Sequence, residues 1–166
     1  MTVVDITQWY SPTSGGIRTY LHQKALWAQR TGRAHAVVVP GRRDGRDTVG
    51  ATPFLRLRGH TPSRGWGYRI ILDVRRVLRA LDELEPTVVV VHDAMAFPLS
   101  IARWAAARRV PLAMLCHSDL SLAAVGLPPA LRGMATAALG ATQRRALRVP
   151  RLVLVASRVS RDRVAL

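Results

Sequence analysis

Three short polar stretches follow apolar runs of this sequence, and their residue types are suited to ligand chemistry. They are Ser14-Gly15-Gly16, His92-Asp93 and His117-Ser118. A glycine pair before a helix lets the backbone come close to a ligand, and the free amides at that helix start favour a phosphate. Histidine hydrogen-bonds hydroxyl groups and exchanges protons near neutrality. The residues therefore indicate a site for a phosphorylated ligand beside a proton-exchanging side chain.

The glycine pair and the arginine that follows it each allow a second interpretation. Gly15 and Gly16 would also suit a tight turn that binds nothing, and a short glycine motif alone does not separate the two cases. Arg18 lies further into the same helix, where it would either reach an anionic ligand or remain solvated. Both alternatives stay open at the level of the sequence.

The two histidine stretches carry different expectations. His117 would line a ligand site or, alternatively, cap a neighbouring carbonyl at the end of its strand. His92 and Asp93 are adjacent, so on a strand their side chains would face opposite sides of the sheet. One of the two would line the ligand site, and we rank Asp93 below His117 as a candidate. No spacing of histidine and cysteine is typical of zinc, so we expect no metal.

Short apolar runs alternate with segments of helical periodicity along the whole chain. The predicted strands lie at residues 3–6, 35–39, 54–57, 88–91, 110–116 and 151–155. The predicted helices begin at Ile17 and then cover residues 68–85, 94–109, 130–147 and 158–166. Segments 41–50 and 59–67 lack apolar periodicity and are predicted loops. This alternation predicts an α/β fold, a Rossmann-like doubly wound parallel sheet, in which ligands bind beyond the carboxyl ends of the strands. All three polar stretches fall at those ends.

Composition bounds the class of protein. The chain has 166 residues, which suits one domain, and 49% of them are hydrophobic, enough for a folded core. Its one cysteine, Cys116, gives no disulfide framework, and no apolar run approaches the length of a membrane-spanning helix. Since Met1 leads straight into the first strand without a signal-peptide pattern, we expect a cytoplasmic protein.

The formal net charge of +15 comes almost wholly from arginine, because Lys24 is the only lysine among 25 basic residues. Such a field attracts polyanions, although arginines spread along a chain also suit an ordinary solvated surface. Trp66, Tyr68 and the arginine face of the 68–85 helix would lie on anionic membrane lipid, attaching the protein peripherally at the inner face. The alternative, which we prefer, is a core helix with solvated arginines.

Four motifs occur in an order that is familiar from one large enzyme family. They are Gly15-Gly16-Ile17, Glu85-Pro86-Thr87 before His92-Asp93, Val110-Pro111 before His117-Ser118, and Val153-Leu154-Val155-Ala156-Ser157. With this order across almost its whole length, the chain resembles the amino-terminal domain of GT-B glycosyltransferases of the retaining family 4. Each motif is weak alone, and the order of the four is what makes the resemblance specific.

The resemblance implies a two-domain enzyme with its active site in the cleft between two Rossmann-like domains. Residues 1–166 would form the amino-terminal, acceptor-side domain. The carboxyl-terminal domain, which in the family holds the nucleotide-sugar and carries a basic pair and a Glu-x7-Glu motif, is absent from this chain. The expected reaction is transfer of a sugar from a nucleotide-diphosphate donor, with no further cofactor, to a glycan, glycolipid or small molecule. The isolated chain is expected to be inactive.

The resemblance also implies roles for individual residues. His117 would sit beside the transferred sugar as the catalytic candidate. Gly15 and Gly16 would stabilise the leaving diphosphate. The predicted substrate-binding residues are Arg18, His92, Asp93 and Ser118.

Two other functions compete with glycosyl transfer. A pyridine or flavin nucleotide site is disfavoured, because G-x-G-x-x-G is missing after the first strand and no acidic residue ends the second. A non-catalytic basic module that binds nucleotide or nucleic acid is motivated by charge alone. Nucleic acid is not the expected partner, since no helix-turn-helix, zinc-knuckle or RNA-binding motif is present.

Overall fold

The computed structural model describes residues 1–13, 15–61, 67–92, 94, 97–117 and 128–155. Ser14, Trp66, Asp93, Ser118 and the predicted helix at 158–166 lie outside these ranges. The strands are β1 (Thr2–Thr7), β2 (Ala34–Gly41), β3 (Gly45–Val49), β4 (Thr52–Arg58), β5 (Val88–His92), β6 (Leu112–Cys116) and β7 (Leu152–Val155). The helices are α1 (Gly16–Arg30), α2 (Val74–Leu84), α3 (Pro98–Arg108) and α4 (Pro129–Leu147).

The strands form one sheet in the order β3-β4-β2-β1-β5-β6-β7. All neighbours are parallel except β3 and β4, which pair antiparallel at one edge. The chain moves outward from β1 through β2 in one direction and through β5 in the other, so the order reverses between β1 and β5. A reversal of this kind leaves a crevice at the carboxyl ends of the two strands, where doubly wound sheets bind ligands. The predicted α/β doubly wound fold is confirmed.

The core lies on both faces of the sheet, as the continuous apolar strands predict. On one face α2 and α3 pack their buried side chains, among them Leu81 and Ile101, against β1, β2 and β5. On the other face α1 packs Leu21 and Ala25 against Val37 of β2 and neighbouring residues. The central strands are therefore fixed from both sides, which holds their carboxyl ends in place.

The predicted helix at 68–85 is shorter in the structure and begins at Val74. Asp73 is its N-cap and accepts a hydrogen bond from the amide of Arg75 at 2.9 Å. The residues before it are extended, because Ile70 forms a β-bridge with His60 and Ile71 exchanges hydrogen bonds with the side chain of Gln8. These long-range bonds outweigh the helical spacing of the isoleucines, which the sequence alone showed.

The predicted loop at 41–50 is also wrong in part, because residues 45–49 form β3. This edge strand pairs with β4 and is exposed along four of its five residues. A strand that is solvated on both faces has no alternation of apolar and polar residues, so its periodicity gave no signal. Charged side chains on such an edge also prevent pairing with other chains.

The buried face of α1 differs from the predicted one. Helical spacing from Ile17 predicts an apolar face that includes Leu21 and Trp27. The structure buries Leu21, Ala25 and Ala28, but Trp27 is 44% exposed. The guanidinium of Arg33 lies 5.5 Å from the Trp27 ring centroid, a contact that keeps the indole at the surface.

Candidate active site

A buried carboxylate, Asp5 in the middle of β1, is the centre of a polar cluster that reaches the carboxyl ends of the strands at His92 and His117. Its Oδ1 lies 2.7 Å from Nε2 of His92, and its Oδ2 lies 2.6 Å from Nε2 of His35. The ammonium of Lys24 on α1 bonds both oxygens, at 2.9 and 2.7 Å. Three elements beside β1 therefore converge on one side chain that is fully buried.

The pairing register explains why these side chains meet. Asp5 lies opposite Val37 of β2 and Val90 of β5. Because side chains two residues apart share a face of a strand, His35 and His92 project on the same face as Asp5. Lys24 reaches the same carboxylate from α1, which covers this face.

The charge of Asp5 is fixed by its partners. Burial alone would raise the pKa of Asp5, but the hydrogen bonds from His35 and His92 and the charge of Lys24 outweigh burial and hold that pKa well below its usual range. The carboxylate is therefore ionised at any physiological pH and only accepts hydrogen bonds. Nε2 of His92 and Nε2 of His35 must each carry a proton to donate to it.

The hydrogen-bond chain continues from His92 to His117, just beyond β6. Nδ1 of His92 lies 2.9 Å from Nε2 of His117, and the two rings stack with their centroids 5.1 Å apart. When His92 carries its single proton on Nε2, its Nδ1 accepts from Nε2–H of His117. Nδ1 of His117 then has a free lone pair. This tautomer follows from the network, in which Asp5 only accepts.

The environment of His117 keeps this imidazole neutral. Partial burial and the neighbouring His92 lower the pKa of His117 to about 4, although the charge of Asp5 acts in the opposite direction. Tyr20 of α1 packs its ring against both imidazoles, with centroids 5.6 Å from His92 and 6.1 Å from His117. At neutral pH the site therefore presents a half-buried, uncharged hydrogen-bonding group.

The glycine pair stands at the start of α1, with Gly15 as N-cap and Gly16 as the first helical residue. Neither has a positive φ. A Cβ built on either glycine meets no described atom within 4 Å. Packing and backbone conformation among the described residues thus give no reason for glycine here. Among the described residues, none covers the pair closely, as a phosphate site requires.

Comparison with known proteins places the chain in a family. The family model described as Glycosyltransferase Family 4 matches residues 14–166. The chain belongs to glycosyltransferase family 4. The resemblance that the four motifs indicated is thereby confirmed.

Two relatives of this family 4 chain are proteins from two strains of Mycobacterium tuberculosis. Both are described as GDP-mannose-dependent alpha-(1-6)-phosphatidylinositol dimannoside mannosyltransferase. Identity is 30% over 131 residues, which cover 78% of this chain and 34% of each relative. The chain thus spans about a third of the length of the curated relatives it matches.

A solved structure supports the fold independently. The catalytic domain of starch synthase IV from Arabidopsis thaliana, bound to ADP and acarbose, superposes with a TM-score of 0.51. Sequence identity is 20%, and the match covers 71% of this chain and 34% of that one. The neighbour shows that the doubly wound sheet of this family 4 chain is that of a GT-B glycosyltransferase.

The predicted site residues fall into separate groups in the structure. His92 and His117 are joined directly, but His92 is fully buried and both of its ring nitrogens are occupied by Asp5 and His117. It lies behind His117, and neither nitrogen is left for a substrate hydroxyl in this arrangement. Arg18 is exposed and donates from Nη1 to the carbonyl of Pro12 at 2.8 Å, so it braces the loop before Gly15. Asp93 and Ser118 lie outside the described residues.

Sequence reasoning missed Asp5, His35, Lys24 and Tyr20 as parts of this family 4 site. One signal was available for Asp5, because an acidic residue in a continuously buried strand must be paired or hydrogen-bonded. Lys24 falls at the helical spacing of the apolar residues of α1, where its aliphatic stem alone would pack, so nothing in the sequence indicated a role for its ammonium. His35 carried no comparable signal, since its role depends on the strand register.

The described residues include neither a metal-binding cluster nor a membrane-spanning helix. Within the described ranges, no group of three or more histidine, cysteine or acidic side chains has an arrangement that would hold a metal ion. None of the described helices is long and apolar enough to span a bilayer.

Proposed function

We propose that this chain is the acceptor-side domain of a nucleotide-sugar-dependent glycosyltransferase and that His117 contacts the transferred sugar. The observation that carries the proposal is the hydrogen-bond chain from Asp5 through His92 to His117, which ends at the switch point of the sheet. A half-buried neutral imidazole there accepts a hydrogen bond from a sugar hydroxyl through Nδ1. Family membership and the open glycine pair support the same reading.

In this proposal the donor is a nucleoside diphosphate sugar. The relatives support this class, because both mycobacterial proteins are described as GDP-mannose-dependent and the starch synthase was solved with ADP. The bond from the anomeric carbon to the diphosphate breaks, and its electron pair leaves with the diphosphate. The acceptor hydroxyl forms the new glycosidic bond, and its proton passes to the leaving diphosphate. No further cofactor takes part.

The leaving diphosphate gains negative charge as this bond breaks, and preorganised donors at that point stabilise the transition state. The amides of Gly15 and Gly16, at the positive end of the α1 dipole, are the donors that this chain supplies. No acidic residue occupies the first turn of α1 to oppose them. A second domain, in cis or in trans, would hold the nucleotide and complete the cleft.

The test is a transfer assay on the native full-length protein with GDP-, UDP- and ADP-sugars, glycan and glycolipid acceptors, and separation of hydrolysis from transfer. Sugar transfer that depends on His117 supports the proposal. A protein that binds nucleic acid tightly and saturably, with no affinity for any nucleotide-sugar, would instead be a non-catalytic basic module.

A further inference from the structure

A groove of about 840 Å³ lies beyond the carboxyl end of β2, apart from the Asp5 cluster. Its walls come from the connection between β2 and β3, the β3–β4 hairpin that follows it, the loop after β1 and the segment before α2. Five arginines line it: Arg42, Arg43, Arg46, Arg56 and Arg69. The size is that of a small-ligand site, since such pockets enclose roughly 300–1,000 Å³.

The acidic residues of this groove are already engaged. Asp44 pairs with Arg76 and accepts from the backbone amide of Arg58 at 2.7 Å. These hydrogen bonds, the backbone one first, lower the pKa of Asp44. Asp47 pairs with Arg56. Each carboxylate is thus paired with an arginine, Asp44 with Arg76 of α2 and Asp47 with Arg56 of the groove wall.

The three remaining arginines of this wall are Arg42 and Arg43, between β2 and β3, and Arg46 of β3. They are exposed and form no ion pair with any carboxylate among the described residues. An arginine is unusual in offering a planar fork of donors that fits phosphate oxygens in pairs. Three such side chains lie within residues 42–46 and have no ion-pair partner among the described residues. They leave the groove electropositive.

The backbone of the segment that carries these arginines is fixed by close contacts and hydrogen bonds. A Cβ on Gly41 would lie 2.9 Å from the carbonyl oxygen of Arg43 and 2.9 Å from Cβ of Arg56, so only glycine fits where the turn crosses β4. The carbonyl of Gly41 also accepts from the amide of Gly59 at 2.9 Å. Yet β3 buries none of its five residues fully. Only Val49 of β3 packs against the core, and it is partly buried, so the strand mainly presents side chains at the surface.

The groove adjoins the loop that leads to the glycine pair. Ser11 and Pro12 line it, and Pro12 is the residue whose carbonyl Arg18 holds. Burial first, and then the charges of Arg18 and Arg56, lower the pKa of nearby His22. Positive charge therefore acts on this part of the edge from α1 as well as from the hairpin.

We propose that this groove binds a phosphate ester carried by the acceptor, through Arg42, Arg43 and Arg46. The inference rests on the proposed function, in which the donor diphosphate is held at Gly15 and Gly16. A second anion site on the same edge, separated by the loop after β1, suits the second reactant. Tyr10 and Tyr68 line the groove beside the arginines, and aromatic faces with basic forks suit a polyol that bears a phosphate.

The test compares the native full-length protein with the triple variant Arg42→Gln/Arg43→Gln/Arg46→Gln. The matched control, Arg30→Gln/Arg144→Gln/Arg145→Gln, removes the same charge from exposed positions on α1 and α4. The soluble probe is sn-glycerol 3-phosphate, measured by calorimetry. The membrane probe is phosphatidylcholine vesicles with and without phosphatidylglycerol, measured by sedimentation. These arms separate a free phosphate ester from a lipid headgroup.

We expect the groove variant to lose affinity by about tenfold or more for at least one probe, while the control stays within about twofold of the native protein. Equal losses in the two variants would reduce the groove to general surface charge and overturn the proposal. So would a native protein that binds neither probe, or a groove variant that binds both like the native protein.

Activity separates this inference from the proposed function. With a neutral acceptor the groove variant should keep native turnover, whereas with a phosphorylated acceptor its KM should rise and kcat should change little. If the native protein transfers no sugar to any acceptor, the proposed function fails while the binding result still decides whether the groove takes a phosphate ester. Loss of turnover with both acceptors would contradict a role confined to acceptor binding.

Discussion

The Asp5 cluster, which reaches the carboxyl edge of the sheet at His117, and the arginine groove on that edge differ in how their charges are paired. In the cluster, the carboxylate and its two histidine partners are buried, the ammonium of Lys24 is mostly covered, and each of these groups is paired with a neighbour. In the groove, two acids are compensated and three arginines face solvent. The cluster thus has one arrangement, set by the packing of β1, β2, β5 and α1. The groove keeps its cations available, and its backbone alone is rigid.

This difference separates what each region contributes. Removing one partner from a buried ionic group leaves uncompensated charge, so the cluster should govern stability and the protonation of His117. Exposed ion pairs contribute little to stability, so the groove should be altered without harm to the fold. Substitutions in the two regions should therefore differ in their effects on stability and turnover.

The largest effect is expected for Asp5→Ala. In the native protein, two imidazoles and an ammonium share this buried carboxylate. Its removal leaves them without their partner, which costs about 3–5 kcal/mol of unfolding free energy. The control is Asp47→Ala at the groove, where the exposed pair with Arg56 contributes no more than about 1 kcal/mol. Urea denaturation of both variants measures the two values. Equal losses would mean that the buried cluster is not a stabilising unit.

The next largest effect is on turnover. His117→Ala in the native full-length protein should lower kcat by a factor on the order of 10², as loss of a hydrogen bond made in the transition state can. Its melting temperature should change little. His22→Ala is the control, because His22 lies on the same edge but bonds Tyr10 and not the cluster. A large fall in melting temperature with near-native kcat would make His117 a structural residue.

A smaller loss of turnover is expected for Gly16→Val. The added branch stands where a phosphate would meet the helix amides, so we expect kcat to fall by about tenfold or more. Gly133→Val on α4 is matched to it, since a Cβ at Gly133 also meets no described atom within 4 Å. Circular dichroism should show both variants folded. Native turnover in the Gly16 variant would mean that the glycine pair is an ordinary helix start that binds no phosphate.

Two features set the limit of what the sequence predicts. The βα alternation and the continuous run Val88–Val91 were sufficient for the sheet and its helices, because buried parallel strands need apolar residues on both faces. The partners of Asp5 were not accessible, because they depend on the register that brings His35 and His92 to its face. The start of α2 was missed for the same reason, since hydrogen bonds to Gln8 and His60 come from far along the chain.

The groove was partly accessible to sequence reasoning. Its arginines were visible as charge in segment 41–50, but that segment was predicted to be a loop. The pairing of β3 with β4, which turns a polar run into a fixed rim, involves side chains exposed on both faces. A solvated strand leaves no periodic signal in the sequence. Neither the β3–β4 hairpin nor the ion pairs of Asp44 and Asp47 could therefore be predicted.

The smallest expected effect is a pH dependence of stability that belongs to His117. Its pKa is about 4 in the folded protein against 6.5 for an unperturbed histidine. Between these values the unfolded chain binds the proton and the folded protein does not, so unfolding free energy falls as pH drops through this window. Asp5, whose pKa is lowered as well, loses its stabilisation only below the usual range for a carboxyl. The two contributions therefore separate along the pH axis.

Urea denaturation of the native protein and of His117→Ala, from pH 7 to pH 4, measures this dependence. The native protein should lose stability more steeply between pH 6.5 and 4, so its unfolding free energy relative to that of the variant should fall as pH drops. The lowered pKa of His22 adds a slope of the same sign to both proteins, so only the difference between them reports on His117. Since His117 is half-exposed, solvent screening keeps the difference small. Parallel curves would show that His117 titrates like an exposed histidine and is not held neutral by the cluster.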